Sequence, residues 1–135
     1  MSKRKTKILS TFLYAGAIYF LAVALVHATG LKVPGLFVYY NVPSYAYQDR
    51  IIAFLAFGWA VMFYHTGRTL DLKLIDLMLT IGFVALVSLS ANTLISNFNF
   101  IRPFTNKLPY YIIIKVLFIY WLSLVYFRLK QSRSP

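Results

Sequence analysis

"ILSTFLYAGAIYFLAVALVHA", residues 8–28, holds no Asp, Glu, Lys or Arg. About 20 such residues in a helix cross about 30 Å of hydrocarbon. Three more segments are of similar length and nearly as apolar, with one or two charged residues each: "SYAYQDRIIAFLAFGWAVMFYH" (44–65), "LIDLMLTIGFVALVSLSANTLI" (74–95) and "PYYIIIKVLFIYWLSLVYF" (109–127). Inside a bilayer a helix satisfies every backbone N–H and C=O within its own segment, and an open strand does not. None of the four segments alternates as a barrel strand would. The expected fold is therefore all-α: an integral membrane protein built as a four-transmembrane-helix bundle, one domain over 1–135.

Composition agrees. The chain is 60% hydrophobic and has only three acidic residues. A soluble domain of this size leaves too much of its surface exposed to hide that share of apolar side chains. With no cysteine, disulfides, thiolate metal sites and thiol catalysis are excluded. A net charge of +11 is of the sign that nucleic acid attracts. The cations, however, gather at the tips of the apolar runs, where membrane proteins keep them, so no nucleic-acid partner is expected. The opening "MSKRKTK" could begin a signal peptide, but the run after it is long for a signal core and "VHATG" fits a cleavage site poorly.

Local signals mark the expected ends. Gly30 and Gly67 can take the left-handed conformation that closes a helix. Ser44 and Asp71 suit N-caps, and Pro109 suits a first helical turn. Tyr39, Tyr40, Tyr45, Tyr47, Tyr110 and Tyr111 cluster as an interfacial aromatic belt would.

Orientation follows from Lys and Arg. With the N-terminus in the cytoplasm, that side receives Lys3, Arg4, Lys5, Lys7, Arg68, Lys73, Arg128, Lys130 and Arg133. The other side receives Lys32, Arg50, Arg102 and Lys107. This bias places both termini in the cytoplasm, in a bacterial plasma (inner) membrane or an internal membrane derived from it. The outer loop 29–43 is too apolar for a free linker and is expected on the membrane surface or over the bundle.

The two histidines look like a pair, since "ALVHATGL" (24–31) and "VMFYHTGR" (61–68) share His-x₀₋₁-Thr-Gly endings. Antiparallel helices put His27 at the outer face and His65 at the inner one, about 30 Å apart. One haem or metal could not join them within a chain. Each is read as a helix-end residue favoured by the negative end of the dipole. A symmetric dimer sharing a haem is the sharper alternative, and no cofactor or metal is expected from this chain alone.

Ionisable residues within spans are the default functional candidates. Lys115 lies about 9 Å into the fourth helix and can snorkel outward, bind an anionic head group or pair with Asp49. Asp49 and Arg50 open the second helix, where an acid complements the positive end. Asp76 is expected to meet Arg68 or Arg128 near the inner face. Ala85, Ser88, Asn92 and Ser96 share one face of the third helix and mark either close helix packing or a polar path. Ala53, Ala56 and Ala60 form a second small-residue seam.

No catalytic residue is expected, because paired carboxylates, base-and-nucleophile pairs and Gly-rich phosphate loops are missing. The first segment has no acid and the chain no glutamate, unlike the small multidrug exporters. The expected role is a non-catalytic accessory or scaffolding subunit of a larger integral membrane complex, of the respiratory or photosynthetic kind, which helps to hold lipids or cofactors owned by its partners. The alternative is a homo-oligomeric transporter or channel for an anion or an anionic lipid, lined by Lys115, Arg50, Ser88 and Asn92. A membrane enzyme acting on lipids is a weaker third class.

Overall fold

The structure, a computed structural model, describes residues 3–102 and 106–132, with side chains described from Thr6 to Gln131. The side chains of Lys3, Arg4 and Lys5, and all of Arg133, lie outside the described residues, so part of the charge count does too. Four helices follow in order: α1 (Lys3–Thr29), α2 (Ala46–Thr69), α3 (Leu72–Ile95) and α4 (Leu108–Ser132). α1, α3 and α4 are long and apolar enough to cross a membrane. α2 is as long as α3 but less apolar, with Asp49 and Arg50 in its first turns and His65 and Arg68 near its end.

The helix ends follow local chemistry, with two corrections. Asp71 caps α3 as expected, accepting from the Lys73 and Leu74 N–H groups at 2.9 and 3.3 Å. Gly30 takes a left-handed φ of 72° just past α1. Gly67 does not end α2. The helix continues to Thr69, and Leu70 takes the left-handed position instead, at φ 52°. Gly67 serves close packing, for its carbonyl accepts from Ser10 Oγ at 2.7 Å and a Cβ there would lie 3.3 Å from Leu13 Cβ. Ser44 does not cap α2 either. Tyr45 holds the N-cap position, which frees the Ser44 hydroxyl to donate to Asp49 Oδ2 at 2.7 Å.

α1 packs along α2, α3 packs on α4, and α1 touches α4, which joins the two hairpins. Ala53, Ala56 and Ala60 are buried, and Ala56 packs with Val23 and Ala24 of α1. At the end that holds the two-residue α2–α3 link, all four helices share one core: Leu9, Leu13, Ala17, Phe63, Ile75, Met78 and Leu124. There the Thr66 hydroxyl donates to Met78 Sδ at 3.2 Å. The α1–α2 cluster further along contains no α3 residue. α2 and α3 are thus tied at their shared turn and separate beyond it.

The loop 30–45 folds back over the open end rather than trailing away. The Tyr19 hydroxyl donates to the Gly35 carbonyl at 2.7 Å, and Phe37 is buried. Ile101 N–H donates to the Asn41 carbonyl at 3.0 Å, stitching the two long loops together. Buried Tyr110 is ringed by Tyr39, Tyr40, Phe98 and Phe100, with centroids 5.3–6.2 Å away. The expected aromatic belt is in part a packed cap.

Candidate functional site

Separation of α2 from α3 leaves a cleft of about 290 Å³, walled by all four helices. That volume is at the lower edge of ordinary small-molecule sites. Its walls are overwhelmingly apolar: Leu13, Phe20, Val23, Met78, Leu86 and Leu117 are typical. Several polar atoms of lining residues are already committed to backbone carbonyls. Tyr120 donates to Phe12 O at 2.7 Å, Trp121 Nε1 to Leu79 O at 2.8 Å, and Tyr19 to Gly35 O as noted. Gly82 and Ala85 keep the α3 wall low, so the cleft owes its width partly to small side chains.

The lining residue with an ionisable side chain other than tyrosine is His27. It stands in the last turn of α1, 6% exposed, with Phe37 stacked on its ring at 3.6 Å between centroids. Its Nδ1 lies 3.5 Å from Asp49 Oδ1, and Asp49 is 5% exposed. This is ion-pair distance, longer than a good hydrogen bond. Neither atom has another hydrogen-bond partner. The two residues meet because antiparallel α1 and α2 bring the end of one beside the start of the other.

The network continues toward the surface. Lys32 Nζ donates to Ser44 Oγ and to the Val42 carbonyl, the latter at 3.4 Å, and lies 4.2 Å over the Phe37 ring. Exposed Ser44 also lines a second hollow of about 340 Å³ between the two long loops, with Tyr45, Asn97 and Asn99. A chain of polar groups thus runs from the loop surface through Ser44 and Asp49 to His27 on the cleft wall. Ser44 bonds to the carboxylate, not to the imidazole. The nucleophile–base contact that acyl-transfer chemistry requires is therefore not formed.

The residues singled out from the sequence are placed as follows. Asp49 pairs with His27 and Ser44, so its alternative pairing with Lys115 is not made. Lys115 is exposed on α4 and has no hydrogen bond or ion pair among the described residues. Arg50 is exposed on α2. Of the two arginines expected at Asp76, Arg128 meets it, at 2.7 Å. Ser88 is exposed, with Ala85 beside it along the α3 face. Asn92 Nδ2 donates to the Tyr39 hydroxyl at 2.9 Å and its Oδ1 accepts from Ser96 Oγ at 2.9 Å. That end of the stripe holds a loop, not a neighbouring helix.

His65 is exposed and sits level with the Tyr14–Tyr64 contact. That is thirteen residues below His27 on α1, or about 20 Å at 1.5 Å per residue. The histidines cannot share a ligand within the chain, and no three metal-ligating side chains gather among the described residues. Sequence reasoning did not pair His27 with Asp49. The signal was present: a rare acid in the first turn of α2 and a histidine in the last turn of α1 belong to the same end of an antiparallel hairpin. Comparison with protein-family models, curated proteins and solved structures finds no match.

Proposed function

We propose that the chain crosses the membrane four times with both ends in the cytoplasm, and that it is a non-catalytic accessory subunit holding a lipid-like amphiphile for a larger membrane complex. One observation carries the proposal: an apolar cleft between α2 and α3 that ends at the buried His27–Asp49 pair. An apolar chain enters such a cleft without the cost of burying polar groups, and His27 gives its head group a fixed point. The broad exposed apolar faces of α3 and α4 suit lipid or a neighbouring subunit. α2 crosses as a less apolar member by packing its alanine face on α1. The excess of Lys and Arg at one end suits the cytoplasmic side of a bacterial inner membrane or one derived from it. The separation of Ser44 from His27 favours holding over turnover. A transport path through Lys115, Arg50, Ser88 and Asn92 has less support, since Asn92 is committed to Tyr39 and Ser96.

Extraction into polymer-bounded native discs tests this. Mass spectrometry of the discs should find stoichiometric partner polypeptides and one lipid class enriched over the bulk membrane. Ala85→Trp, which builds into the cleft from an exposed position, should remove that enrichment. Recovery of the chain alone, with lipid in bulk proportions that Ala85→Trp does not alter, overturns the proposal.

A further inference from the structure

The polar end of the cleft is specific enough to select a head group. His27 turns Nδ1 toward the Asp49 carboxylate, while its ring lines the cleft. A carboxylate beside Nδ1 favours the tautomer that keeps its proton on that nitrogen. The nitrogen left for an occupant is then Nε2, with a lone pair to offer. Asp49 is held in place as acceptor by the Ser44 hydroxyl, which Lys32 anchors in turn. Stacking on Phe37 fixes the ring plane.

An occupant must meet two conditions. It has to donate a hydrogen bond to Nε2, and it must do so without carrying a charge into an apolar cleft, where desolvation of an ion is costly. Carboxylate and phosphodiester heads fail both conditions, a phosphomonoester fails the second, and the buried Asp49 repels all three. An ammonium head donates but brings a charge, with the Lys32 ammonium already behind Phe37. Ether, ester and ketone heads are neutral but have no proton to donate. A hydroxyl meets both conditions.

We propose, resting on the lipid-holding function above, that the cleft selects a neutral membrane amphiphile with a hydroxyl head, which donates its hydrogen bond to His27 Nε2 while the tail passes down between α2 and α3. Asp49 is a positioning residue that sets the tautomer. Long-chain alcohols, sterol-like alcohols, prenols and the phenolic heads of quinols share this chemistry. The volume admits a head and a short stretch of chain, and the remainder leaves toward the bilayer through the open α2–α3 seam.

The experiment uses the full chain in lipid nanodiscs and four diazirine-tailed probes of one tail length: hexadecanol, its methyl ether, hexadecanoic acid and hexadecylamine. Photo-adducts are mapped and quantified by mass spectrometry. In the wild-type protein the alcohol should label the cleft walls, such as Leu86 and Leu89, about two- to tenfold above the ether, the fold-change equivalent to one net hydrogen bond. His27→Leu should bring alcohol and ether to equal labelling, and His27→Gln should recover part of the preference. Asp49→Asn should reduce it, because the tautomer is no longer set. Ala85→Trp should remove labelling by every probe. Equal labelling by alcohol and ether in the wild type overturns the head-group assignment, and that comparison needs no variant. Stronger labelling by the acid or the amine does the same. If Ala85→Trp leaves all labelling intact, it is the cleft itself, and with it the lipid-holding function, that fails.

Discussion

Replacement of Gly16 by alanine probes the point where three helices converge. A Cβ built on Gly16 of α1 would lie 2.6 and 2.7 Å from Cδ1 and Cε1 of Phe63 on α2, and would also strike the Tyr120 hydroxyl of α4. Neither neighbour moves freely: Phe63 is a buried core residue, and the Tyr120 hydroxyl donates to Phe12 O at 2.7 Å. Forcing a methyl group into a packed core costs about 1–3 kcal/mol. Loss of the Tyr120 hydrogen bond adds about 0.5–1.5 kcal/mol. Alanine recovers about 1 kcal/mol of helix propensity over glycine. Gly58→Ala supplies the control, because nothing lies within 4 Å of its added Cβ, so it should be neutral or stabilising. Propensity cancels between the two variants, and their difference isolates the contact at about 2–4 kcal/mol. Equilibrium unfolding by SDS in mixed micelles, followed by Trp59 and Trp121 fluorescence, measures it. Phe63→Leu in the Gly16→Ala background should restore part of the loss, by vacating the ring edge. Equal stability of Gly16→Ala and Gly58→Ala would refute the convergence of α1, α2 and α4 at this level.

Two other outcomes follow from particular contacts. The chain lacks cysteine, so Val33→Cys and Lys73→Cys give clean single labels in the loop before α2 and the first turn of α3. Membrane-impermeant maleimide should reach them from opposite compartments, whereas labelling of both from one side would show that α2 does not cross. The Arg128–Asp76 pair joins a mostly buried guanidinium to a half-exposed carboxylate. A double-mutant cycle with Arg128→Met and Asp76→Asn should give a coupling below about 1 kcal/mol, weakened further by salt; a larger, salt-independent coupling would mean that the pair is desolvated in the assembled protein.

Much of the fold was legible because crossing a bilayer is a demand on composition over about 20 consecutive residues. The runs 8–28, 74–95 and 109–127 fall within the three most apolar helices, and the Asp71 cap is a signal only a few residues long. α2 marks the edge of that legibility, since its fitness for the bundle lies in Ala53, Ala56 and Ala60 facing α1 and not in its average apolarity. Gly67 lies beyond that edge for a related reason. Glycine serves both helix termination and close approach, and only the position of α1 shows which.

The sequence by itself determined the four apolar helical runs, though not their ends, and the gathering of most cations toward their tips, because each depends on neighbours along the chain. Only tertiary structure decided that α2 and α3 part beyond their turn, that His27 lies against Asp49, and that Ser44 serves this carboxylate and not a helix end. Those outcomes depend on which helix faces pack and on how a long loop folds back. The interactions that settle them join residues from different helices and loops, where local pattern can put two groups at one end of a hairpin, as with His27 and Asp49, but not at contact distance.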